Sequence, residues 1–174
     1  MQTKQVMRYV LTGVAVFLLA LFQTTLIHSF KLFGVIPNLL LSAVVCYSLI
    51  CGENKAMVFG IACGLILDFY GARAVGINTL LCMLTALGCI LLHDGLFSNN
   101  AFVAMLFVAV ISVIYDFIIF FFYFVLWGQA DVLYALFRII LPGAIYSGLV
   151  TIFIYHLLRA VALEWAAPGH VKRW

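Results

Sequence analysis

Asp68 closes the run Gly60-Ile61-Ala62-Cys63-Gly64-Leu65-Ile66-Leu67-Asp68. Its four-residue spacing from Gly64, and that of Gly64 from Gly60, puts all three on one face of a helix. An ionised side chain in hydrocarbon costs a few kcal/mol even on the most lenient insertion scale. A carboxylate here therefore requires protein or water around it, and the glycines let a second helix come close enough to supply it. Two readings stay open: a helix-end carboxylate that reaches interfacial water, or a residue docked against another helix. Asp116 lies deeper inside an apolar run, where only water, protonation or an internal partner relieves it. Arg73 and Arg138, both on the outer side of a six-span chain, are its candidate partners.

Catalytic chemistry has no foothold. The chain holds no G-x-S-x-G, no H-E-x-x-H and no phosphate-cradling glycine loop. His28, His93 and His156 stand apart without a second ligand nearby. Cys46, Cys51, Cys63, Cys82 and Cys89 sit in apolar segments with no C-x-x-C pair. An odd count so placed argues against a disulfide framework or a zinc site. They read as small buried hydrophobes. No enzyme activity, cofactor or metal is expected.

The elements that must hold the aspartates are membrane helices. The chain of 174 residues is 67% hydrophobic and 9% charged, with a mean hydropathy of +1.25, against about 25% charged in soluble domains. That composition implies a single multi-pass membrane domain over 1–174. The net charge of +3 sits mainly near the termini and forms no basic stripe for nucleic acid. Apolar runs predict six spans, near 9–27, 35–50, 56–70, 75–92, 101–127 and 139–161. Lys4 and Arg8 precede the first run without a convincing cleavage site, so it reads as a retained span.

Two spans have awkward lengths. The third reaches roughly 22 Å, short of a hydrocarbon core of about 30 Å. The fifth reaches about 40 Å and must tilt or project. With six spans and both termini in the cytoplasm, Lys4, Arg8, Lys55, Arg159, Lys172 and Arg173 lie inside. Only Lys31, Arg73 and Arg138 lie outside, the usual direction of bias. A five-span arrangement divides the cations almost evenly. Trp127, Trp165 and Trp174 fall at span ends, where amphipathic rings favour the interface.

The remaining punctuation marks helix ends. Pro37-Asn38 opens the second span, where a proline in the first turn forfeits no hydrogen bond. Gly71 falls in the break after the third span, and Gly76-x-Asn78 begins the fourth. A cross-helix hydrogen bond from Asn78 would contribute about 0.6–2 kcal/mol. Pro142-Gly143 lies in the first turns of the sixth span, starting or kinking it.

These features together resemble a known family. Pro37-Asn38-Leu39-Leu40-Leu41, the run Gly60-x-x-x-Gly64-x-x-x-Asp68-x-x-Gly71-x-x-x-x-Gly76, Asp116 in an aromatic fifth span and Leu141-Pro142 in the last resemble the MreD family. These are small multi-pass subunits of the bacterial rod-shape machinery. One departure stands out: many relatives carry an Asn a few residues after the last-span proline. This chain has Gly143-Ala144-Ile145-Tyr146-Ser147, where Tyr146 or Ser147 would supply the hydrogen bond.

The resemblance implies a non-catalytic scaffold of the cytoplasmic membrane that binds the single-span protein MreC. It also implies indirect partnership with the actin-like MreB filament and the glycosyltransferase–transpeptidase pair that builds lateral cell wall. The implied fold is that of the six-helix substrate-binding subunits of energy-coupling factor transporters. Gly60, Gly64, Asp68, Gly71 and Gly76 would then be helix-packing or partner surfaces, and a homo-oligomer is compatible with the resemblance. A vitamin-binding transporter subunit is the competing reading. It wants several convergent polar groups, whereas the outer side offers only Asp68, Arg73, Asn78, Asp131 and a few tyrosines. A proton- or ion-coupled channel using both aspartates is a minor third.

Overall fold

The computed structural model describes residue 14 and residues 18–23, 36–51, 55–71, 76–96, 101–127 and 136–163. All regular structure among them is helical. Helix α1 is described over 18–23. Then come α2 (Leu39–Cys51), α3 (Lys55–Gly71), α4 (Ile77–Leu96) and α5 (Ala101–Trp127). One π-helical turn, Leu136–Ile140, leads into α6 (Leu141–Leu163).

α2 is the central post. Leu39 to Cys46 are buried without a break, and the helix touches α3, α4, α5 and α6. A helix apolar on every side belongs inside a bundle. Its two serines satisfy themselves within the helix: Ser42 Oγ donates to Asn38 O at 3.0 Å and Ser48 Oγ to Val44 O at 2.7 Å. Tyr47 stacks on Phe59 of α3, with ring centroids 4.4 Å apart.

α5 shows the opposite design. Ala104, Val108, Ser112 and Tyr115 are buried, while Phe102, Leu106, Val110, Ile114, Phe117 and Phe121 are exposed along the other side. A face of large apolar residues with nothing over it is suited to lipid. Gly148 of α6 packs against Met105 and Ala109 of α5.

The element bounds differ in places from those the apolar runs predict. α2 starts at Leu39 rather than 35, because Asn38 caps it. α3 has 17 residues, about 26 Å long, which recovers much of the expected shortfall. α4 runs on to Leu96, and the last helical stretch begins at Leu136 rather than 139. Pro142 has no N–H, and its ring would clash with the carbonyl four residues back in a regular helix. The wider π turn immediately before it gives that ring room. By length and composition, Ala101–Phe122 and Leu136–Leu158 are each long and apolar enough to cross a bilayer, with shorter apolar helices at Leu39–Ile50 and Ile77–Leu92.

Candidate functional site

α3 and α4 approach each other backbone to backbone. A Cβ built on Gly60 would lie 2.8 Å from Cys82 O and 3.2 Å from Ala86 Cβ. One built on Gly64 would strike the Thr79 backbone and come within 2.8 Å of Asn78 O. The close approach carries the end of α3 to the first turn of α4. There Gly76, at φ +103°, turns the chain in a conformation few other residues tolerate. Its carbonyl accepts from Leu80 N at 3.0 Å, which makes Gly76 the N-cap, but a glycine has no side chain to satisfy the amides beyond it.

Asp68 supplies the missing cap from the neighbouring helix. Its Oδ1 accepts from Asn78 N at 3.2 Å and its Oδ2 from Thr79 N at 3.0 Å. Thr79 Oγ1 donates to the same Oδ2 at 2.5 Å. Only 3% of Asp68 is exposed. The burial is tolerable because the helix N-terminus offers both oriented donors and the positive end of the helix dipole. No arginine is required.

The same end of α4 reaches further into the bundle. Tyr115 OH of α5 donates to Asn78 Oδ1 at 2.7 Å and sits beside the Asn38 side chain and the Cys82 thiol. Asn38 in turn caps α2, its Oδ1 accepting from Leu41 N at 3.1 Å. The Asn38 carbonyl accepts from Ser42 N at 3.1 Å, and its own N–H donates to Ser147 Oγ of α6 at 3.1 Å. Gln23 Oε1 of α1 accepts from Leu40 N at 3.0 Å. A chain of polar contacts therefore ties the N-termini of α2 and α4 to side chains from every other described helix.

Most residues singled out by spacing meet here: Gly60, Gly64, Asp68, Gly76, Asn78 and Asn38. Gly60 and Gly64 make their close contacts within the chain, to α4. Pro37 is buried but precedes the cap instead of occupying the first turn, a correction to the sequence expectation. Its missing N–H lies where no helix bond would form. Gly71 is the last residue of α3. Pro142 stands apart, two residues past the end of the π turn. Of the two residues offered in place of the last-span Asn, Ser147 joins the network, whereas Tyr146 has no hydrogen bond among those described.

Asp116 does not join either. It is half-buried on α5, and no hydrogen bond or ion pair reaches it among the described residues. Arg138 is exposed in the π turn and is not paired with Asp68 or Asp116. Arg73, like Lys31, lies outside the described residues. Gln23, Thr79 and Tyr115 were not anticipated. Thr79 follows Asn78 in a helix first turn, where a hydroxyl is well placed to meet a cap. Tyr115 was obscured by the formal charge of its neighbour.

Every group in the network holds another, so its chemistry is positional. Among the described residues there is no nucleophile with a base beside it and no cluster of metal-ligating side chains. Cys46, Cys63, Cys82 and Cys89 are buried free thiols. No curated protein matches the chain, and no solved structure does. The family model for rod shape-determining protein MreD matches residues 4–161, almost the whole of a helical chain with membrane-length helices. The chain belongs to the MreD family, the non-catalytic membrane components of the bacterial rod-shape machinery.

Proposed function

We propose that this chain is a single six-span domain of the cytoplasmic membrane, both termini inside, that acts as a rigid platform for the single-span protein MreC. Through MreC it helps position lateral wall synthesis by the glycosyltransferase–transpeptidase pair, alongside the MreB-like filament. The observation that carries this reading is the network from Asp68 through Asn78, Tyr115 and Asn38 to Ser147. In the six-span topology that network lies in the outer half of the bundle, because α3 ends there and α2, α4 and α6 begin there. Apolar helices gain little by meeting one another in lipid. A polar lock with small residues beneath it gives a fixed arrangement to which another helix can bind. The six-helix likeness to vitamin-uptake subunits belongs to this reading of the fold. Vitamin capture is less favoured, because Asp68, Asn78 and Asn38 bind helix ends and one another instead of converging on a cavity.

Cells lacking their own copy test the proposal. The wild-type chain should restore rod shape and co-purify MreC in detergent, whereas Asp68→Leu should leave cells round and reduce MreC recovery. Rods and full MreC recovery with Asp68→Leu, at equal membrane abundance, would contradict it.

A further inference from the structure

α5 carries Asp116 well inside its apolar length, on the flank that faces α6. Met105 and Ala109 on that flank meet Gly148, and Asp116 lies two turns further along the same side. α6 runs back along α5, so the level of Asp116 is that of the π turn and the first turn of α6, segments that both touch α5. Around this seam the surface is apolar and uncovered: Phe117 from α5, Phe137, Leu141 and Ile145 from the last helical stretch. Four residues back, and fully buried, Ser112 Oγ also has no hydrogen-bond partner among the described residues.

Acyl chains can cover the phenylalanines, but they offer no donor to a carboxyl group. Asp is also too short to reach water from the interior of a helix of this length. A second copy meeting the same patch would bring carboxyl against carboxyl, which disfavours self-association here. The complement is a helix that is apolar where it meets the phenylalanines and carries one donor at the level of Asp116.

We infer that the α5–α6 seam is the docking site for a transmembrane helix of a different chain, which seats a hydroxyl, amide or basic side chain against Asp116. The inference rests on the scaffold reading and identifies which face of the scaffold receives the single-span partner. Asp116 is then a recognition residue, in contrast to Asp68, which holds the fold.

The test is a resonance-energy-transfer titration in vesicles between the labelled full chain and the labelled full single-span partner. A thermal-denaturation series on the isolated chain in detergent accompanies it. Asp116→Leu should weaken association about three- to thirty-fold, Asp116→Asn should keep most of it, and neither should lower the stability of the isolated chain. If Asp116→Leu associates as wild type does, the seam is not the docking site, and the scaffold reading stands. If Asp116→Leu destabilises the isolated chain, Asp116 is an internal strut and the inference is overturned. If the wild-type chain fails to associate at all, the scaffold reading falls and takes this inference with it.

Discussion

Two aspartates on separate apolar helices reach opposite ends. Asp68 is almost fully buried and accepts three hydrogen bonds from the first turn of α4. Asp116 is half-buried and accepts none among the described residues. Residue type and hydropathy are the same for both, so the difference lies in the neighbouring backbone. Gly60 and Gly64 admit α4 to contact distance, and Gly76 leaves that helix without a cap of its own. Beside Asp116 the π turn runs on into α6 without a break, and no hydrogen bond from either reaches Asp116 among the described residues. In a membrane, a carboxylate is structural where a helix end turns its amides toward it and available for recognition where none does.

The contrast can be broken most forcefully at Gly64. Gly64→Leu drives a side chain into the backbone of Asn78 and Thr79, which cannot yield as a flexible side chain would. The expected loss is about 3 kcal/mol or more, read as a sharply lower midpoint in a denaturant titration of the detergent-solubilised chain. Asp68→Leu comes next. It strands the two amides and the hydroxyl that Asp68 accepts from, at about 2–4 kcal/mol. Asp68→Asn should recover roughly half of that by keeping one acceptor oxygen.

Tyr115→Phe removes a single donor to Asn78. It should cost about 1 kcal/mol and lower the thermal midpoint without unfolding the chain. Ser147→Ala removes the acceptor for Asn38 N, at a penalty of similar size or smaller. Asp116→Leu anchors the bottom of the series, with no loss in the isolated chain. A large loss there would erase the distinction between the two aspartates.

Much of this was legible in residue spacing, because the physics that spacing reports is local. Gly60, Gly64 and Asp68 share a face by helical period alone, and that face is the one that meets α4. The helical class followed from apolar runs, since lipid admits few other backbone solutions. What spacing could not supply was the identity of the partner. Arg73 and Arg138 stand out in the sequence because they carry charge. The carboxylate is instead satisfied by backbone amides, which every residue but proline carries and no sequence pattern marks. Gln23 was hard to see for a related reason: it meets the backbone of Leu40, brought close only by tertiary packing. Ser147 was visible as a hydrogen-bonding residue, but its partner, the Asn38 N–H, was not. The two-residue displacement of Pro37 out of the helix was decided by Asn38, whose side chain makes a better cap than a proline makes a first turn.

Asp68 caps α4 across the gap between two helices. A double-mutant cycle between Asp68→Ala and Thr79→Val isolates that contact, with unfolding free energies measured on the isolated chain in detergent. The two substitutions should couple by about 1–2 kcal/mol, while Asp68→Ala and Arg138→Ala should be additive. Additivity at the Asp68–Thr79 pair, or strong coupling to Arg138 in its place, would contradict the cap.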